Sequence, residues 1–159
     1  MSQGESDERG ANVRFPPPLV YVAFILLGVG LQYATPIRAP GPRYVAVATG
    51  IAFLLAALWL IFNALNLFKR TGQDPAPWKP SPELVLSGAY RFTRNPMYLG
   101  LTCIQVGLGL ALNNCWISLL AAFSLLAVHF IAVVPEERYL SEKFGESYKA
   151  YLINVRRYL

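Results

Sequence analysis

The sequence predicts an all-α polytopic membrane protein of about four transmembrane helices and a C-terminal interfacial amphipathic helix. Three observations lead there. First, 55% of the 159 residues are hydrophobic and only 14% are charged, against about 25% charged in soluble domains. Second, apart from Arg38 and Arg43, the charges gather in residues 1–14, 69–94 and 136–157, separated by long uncharged tracts, as a bilayer partitions a chain. Third, the uncharged tracts have lengths that suit a hydrocarbon core of about 30 Å. We expect an N-terminal tail over 1–18 and one membrane domain over 19–159.

The elements follow in order. The first apolar stretch, about 19–34, is short and bounded by Pro18 and Pro36. The second, 44–68, carries no charge and stops at Lys69 and Arg70, so it spans with room to tilt. The third and fourth, 97–112 and 115–134, are separated only by Asn113 and Asn114. So short a connection joins antiparallel neighbours and predicts a tight helical hairpin. After Pro135, Leu140, Phe144, Tyr148, Tyr151 and Val155 recur at helical spacing, with Glu142, Lys143, Glu146 and Lys149 on the other face. That pattern predicts an amphipathic helix over 136–159 lying along the membrane surface.

Four crossings put the N-terminal tail, the 69–96 loop and the C-terminal helix on one side. These carry two, five and five Lys and Arg residues, against two in the 35–43 loop and none in the Asn113–Asn114 turn. The positive-inside rule assigns the first side to the cytoplasm, and a bacterial inner membrane suits such a chain. Residues 1–18 lack a basic start and a small-residue cleavage site, so no removed leader is expected. Cys103 and Cys115 lie too far apart along helices to pair and read as packing positions. With His129 the sole histidine, no metal cluster is expected.

Chemistry is expected in the 69–96 loop, which is too long for a mere connector. Asn95 followed by Pro96 is a helix start, with asparagine as N-cap and proline at the first helical position. Arg94 and the free backbone donors of that turn make an anion-accepting pocket, the plainer alternative being that Arg91 and Arg94 touch lipid headgroups. Glu136 and Glu137 leave the fourth apolar stretch side by side, where acidic groups are costly unless they meet cations or water. The hairpin brings this pair to the same side as the Asn95–Pro96 start. A site with a positive and a negative half suits a zwitterion bearing a carboxylate and an amino group; Arg–Glu pairing without a ligand is the alternative.

Three ordered motifs over about 70–159 carry a resemblance: Leu84-Val85-x-Ser87-Gly88-x-Tyr90, Arg94-Asn95-Pro96-x-Tyr98-x-Gly100, and Glu136-Glu137 ahead of Leu140, Phe144-Gly145, Tyr148 and Tyr151. Together they resemble the isoprenylcysteine carboxyl methyltransferase and phospholipid methyltransferase superfamily of integral membrane enzymes. The resemblance implies S-adenosyl-L-methionine as cofactor. It implies that Leu84, Val85 and Tyr90 line the cofactor, that Arg94, Asn95, Pro96, Met97 and Tyr98 hold it, and that Glu136 and Glu137 take its polar groups. Two departures stand out: Asn95 replaces the commoner histidine, and Ala132 stands where the carboxyl-methylating branch carries an arginine. Losing that fork removes a bidentate grip on a carboxylate, so the acceptor is expected to be a lipid amine, a thiol or a similar membrane-partitioning molecule rather than prenylcysteine.

Methyl transfer from a sulfonium needs alignment and a dry site more than acid–base help. If the acceptor must lose a proton, Glu137, Tyr98 and His129 are the catalytic candidates, with His129 read first as a hydrogen bonder between helices. The rivals are a nicotinamide-dependent membrane reductase of sterol-reductase type, which predicts a larger chain, and a small tetraspan transporter or structural protein. Transport predicts ionisable groups within the spans, and here only His129 qualifies.

Overall fold

The computed structural model describes residues 10–13 and 15–158; the acidic and basic residues of the tail before Gly10 lie outside them. Every regular element among the described residues is helical. In chain order these are α1 (Pro17–Ala34), α2 (Arg43–Arg70), a 3-10 turn (Gly88–Arg91), α3 (Pro96–Ala111), α4 (Cys115–Val128), a π-helical segment (His129–Val133) and α5 (Val134–Asn154). Among the described residues three helical stretches are long and apolar enough to cross a membrane: Pro17–Ala34, Arg43–Arg70 and Cys115–Asn154, with the shorter apolar helix Pro96–Ala111 as the fourth. Leu26, Leu55, Leu58 and Phe62 are more than 60% exposed, which suits helices whose solvent is lipid.

The chain divides into two compact units. One comprises Pro17–Ile61 and Met97–Val128; the other comprises Phe62–Pro96 and His129–Leu159 together with the N-terminal segment. α2 contributes to both.

In the first unit, α1 packs on α4, and small residues set how closely backbones approach. A methyl group at Gly28 would meet the Ile117 backbone at 2.9 Å, and one at Gly107 would sit 2.8 Å from the Gly50 carbonyl oxygen. These contacts bring α1 onto α4 and α2 onto α3. Polar groups inside the bundle are paired, as lipid surroundings demand. Gln105 donates to the Ile117 carbonyl at 3.1 Å and accepts from Ser124 at 2.8 Å. The Tyr21 hydroxyl donates to the Tyr98 carbonyl at 3.0 Å.

The α3–α4 hairpin forms as the spacing predicts. Asn113 takes the left-handed conformation, φ 56°, which asparagine tolerates. Asn114 then caps α4, its Oδ1 accepting from the Ile117 N–H at 3.3 Å. Arg43 donates to the Leu110 and Ala111 carbonyls and satisfies the open end of α3. Cys103 and Cys115 are both free.

The helix boundaries differ from the sequence expectation in two places. The chain does not break at Pro135 but stays helical from Cys115 to Asn154. Pro135 supplies no N–H and its ring crowds the carbonyl four residues back, and the π winding of His129–Val133 absorbs that misfit. The terminal helix also stops at Asn154 rather than running to 159. Val155 is extended, φ −125° and ψ 129°, because residues beyond it bond to the 93–95 loop and to Glu137 instead of to the preceding turn. Gly145, at φ 51° and ψ −123°, kinks α5 internally.

Candidate functional site

The second unit holds most of the residues singled out from sequence. Its frame begins with Asn63 on α2, whose Oδ1 accepts from the Ala89 N–H at 2.8 Å. Gly88 adopts φ 58°, and a methyl there would lie 2.3 Å from that Oδ1. Only glycine both turns the chain and lets the 3-10 turn close on Asn63. Tyr90 ends up edge-on to Phe68, ring centroids 6.1 Å apart, while its carbonyl accepts from the Tyr151 hydroxyl at 2.7 Å. Leu84 and Val85 are half-buried just upstream, and the Tyr139 hydroxyl accepts from the Ser81 N–H at 3.1 Å.

The helix start follows. Pro96 opens α3 as predicted. Thr93 and Asn95 are buried, and the Thr93 Oγ1 accepts from the Asn95 N–H at 3.2 Å. Asn95 turns its amide outward from the loop, Nδ2 donating to the Arg157 carbonyl at 3.0 Å.

The acidic pair divides its attention, as successive helical residues separated by about 100° must. Glu137 receives two hydrogen bonds from Arg157, Nε to Oε1 at 3.0 Å and Nη2 to Oε2 at 2.7 Å, and an ion pair from Arg94 at 3.5 Å. Burial pushes the Tyr90 hydroxyl far above its ordinary pKa, and the charge of Glu136 adds to the rise. Tyr90 therefore stays a neutral hydrogen-bonding group throughout the physiological range. The hydrogen bond to Glu137 raises the Arg157 pKa in turn, so its charge is permanent.

Two guanidinium groups and two carboxylates thus share one small region. The side chains of Arg94 and Glu137 are only 11% and 15% exposed, and the Arg94 Nε is buried without a hydrogen-bond partner. An orphaned charged donor beside a carboxylate is costly in a closed structure and is the pattern expected where a ligand carboxylate completes the shell. The donor set suits an anionic ligand group.

Arg94, Asn95, Pro96, Tyr90, Leu84, Val85, Glu136 and Glu137 belong to this unit, whereas Met97 and Tyr98 belong to the other, where Tyr98 is 8% exposed. Among the catalytic candidates, His129 bonds through Nδ1 to the Tyr158 hydroxyl at 3.0 Å, a partner beyond the last helix rather than on a neighbouring one. Glu137 has both oxygens occupied by arginine. Sequence reasoning missed Thr93, Arg157 and Tyr158. Their one visible signal was the Arg156–Arg157 pair lying past the amphipathic repeat.

A multi-pass helical protein with a partly buried Arg–Glu cluster at a loop-to-helix junction is the class that fold and site define. The sequence pattern of the phospholipid methyltransferase family matches residues 45–147, well over half the chain, and the chain belongs to that family. Comparison with curated proteins and with solved structures finds no match. Membership implies a membrane methyltransferase. The matched range includes the 3-10 turn, the helix start and the acidic pair, while residues 155–158 lie beyond it.

Proposed function

We propose that the protein transfers a methyl group from S-adenosyl-L-methionine to an acceptor that partitions into the bilayer, a lipid amine, thiol or similar nucleophile. The observation that carries the reading is the Arg94–Glu137 pair with its orphaned Arg94 Nε, inside a family of membrane methyltransferases. Arg94 would take the carboxylate of the cofactor, and Glu136 and Glu137 its ammonium group. Leu84, Val85 and Tyr90 would line the remainder, and Asn95 and Pro96 would fix the helix start against it. The site is expected to face the cytoplasm, on the side where basic residues gather.

The cofactor supplies an activated methyl group. The protein's residues bind, orient and exclude water, which favours a displacement whose charge disperses as it proceeds. Tyr90, kept protonated by its surroundings, offers a hydroxyl but no base. Glu137 is engaged by two arginines, which leaves His129, bonded through Nδ1 to Tyr158, as the candidate proton acceptor for an amine or thiol acceptor. Ala132, buried on the π segment, offers no anchor for a carboxylate, which favours acceptors of the amine or thiol kind.

Calorimetry on detergent-purified protein tests the reading. S-adenosylhomocysteine is expected to bind, nicotinamide dinucleotides are not, and Glu136→Gln should weaken binding about ten-fold, the worth of one charge-assisted hydrogen bond. Binding of a nicotinamide dinucleotide instead would put the reductase reading in its place.

A further inference from the structure

Residues 155–158 leave the helix after Asn154 and lie along the site. Each polar bond they make within it ends on a residue already described. The Arg156 carbonyl accepts from the Arg94 N–H at 3.0 Å. The Arg157 carbonyl accepts from the Thr93 hydroxyl at 3.1 Å and from Asn95 Nδ2 at 3.0 Å. The Arg157 guanidinium grips both oxygens of Glu137, and the Tyr158 hydroxyl meets His129.

Burial does little to hold this segment. Val155, Arg157 and Tyr158 are only half-buried, Arg156 is exposed, and the Arg157 side chain is 40% exposed. Solvent reaches the Arg157 side of its ion pair with Glu137 and screens it in part. Arg157 also offers Glu137 a cation with two donors, the same recognition pattern that a ligand's ammonium group presents. Meanwhile the more buried Arg94 keeps an unfilled Nε beside it. The carboxylate is engaged from the segment's side, and the anion-accepting group is not.

We propose that residues 155–158 form a strap that occupies the site from within, with Arg157 standing in for the cationic group of the ligand, so that ligand binding requires Arg157 to release Glu137. The proposal rests on the assignment of Glu137 to the cofactor's amino group. A site that is open only part of the time binds with an affinity reduced by the open fraction, so loosening the strap raises affinity.

Titrating S-adenosylhomocysteine into the detergent-purified full chain and its Arg157→Gln variant reads this directly. A strap closed roughly nine-tenths of the time predicts about ten-fold tighter binding in Arg157→Gln. Tyr158→Phe, which removes only the His129 anchor, should tighten binding about two-fold by the same relation, and it carries the test if Arg157→Gln does not purify folded. Ligand should also speed hydrogen exchange at the Arg94 amide, whose partner is the strap. Unchanged or weaker affinity in the variants, or a slower Arg94 amide, overturns the strap while leaving cofactor binding by the parent intact. Absence of binding in parent and variants alike overturns the cofactor reading, and the strap with it.

Discussion

Replacing Glu137 by glutamine removes one negative charge from between two arginines while keeping shape. Arg94, whose side chain is 11% exposed, then becomes a nearly buried cation with an already orphaned Nε. Breaking a buried pair from one side costs about 3 kcal/mol. The Arg157 contact adds at most about 1 kcal/mol, because that side chain is 40% exposed and solvent screens it. The expected loss is therefore about 3–4 kcal/mol, or a fall in Tm of about 10 °C for a chain of this size. Arg94→Gln should be milder, about 1 kcal/mol, since Glu137 keeps its two bonds from Arg157. The double variant should be more stable than Glu137→Gln alone, because no unpaired buried charge remains. Thermal unfolding in a mild detergent measures all three. A Glu137→Gln protein within about 2 °C of the parent, or a double variant less stable than Glu137→Gln, would refute the view that the Arg94–Glu137 pair is a mutually dependent buried unit.

Other outcomes follow from close backbone approaches and single hydrogen bonds. Gly107→Ala places a methyl 2.8 Å from the Gly50 carbonyl, where rigid backbone faces it, and should cost about 2 kcal/mol by forcing helices apart, read as a lowered Tm. Gly88→Ala meets both a left-handed φ of 58° and the Asn63 Oδ1, so it should cost about 2 kcal/mol and raise hydrogen exchange at the Ala89 amide. Tyr151→Phe deletes the 2.7 Å bond to the Tyr90 carbonyl and should cost about 1 kcal/mol, with S-adenosylhomocysteine binding weakened only slightly.

Much of the fold was legible because lipid imposes one simple rule, that every spanning backbone group must be satisfied within its own helix. Uncharged runs therefore announced α1, α2 and the α3–α4 hairpin. Asn113 and Asn114 announced the turn, one by tolerating a left-handed φ and the other by capping. Pro96 announced the start of α3. Local chemistry of this kind is written in adjacent residues. Pro135 misled for the same reason: its missing donor is a local fact, but whether a helix breaks or winds into a π turn depends on what the following residues pack against.

The Arg94–Glu137 contact was likewise legible, since both lie at the polar boundaries of apolar runs. Arg157 was not. Its partners Glu137, Thr93 and Asn95 lie 20 and more than 60 positions away, and nothing in the sequence distinguishes it from the exposed Arg156 beside it. Tyr98 shows the same limit. The Tyr98 backbone carbonyl accepts from the Tyr21 hydroxyl on α1, 77 positions away, a contact that the contiguous Arg94–Gly100 motif does not announce.

The most direct test is transfer itself. Purified protein reconstituted in bilayers of total lipid extract is incubated with S-adenosylmethionine labelled in the methyl group, and the organic phase is counted. Label should appear there on a lipid-soluble product and fall with Glu136→Gln. A parent protein that binds neither S-adenosylmethionine nor its demethylated product, and leaves the organic phase unlabelled, would contradict the methyltransferase account.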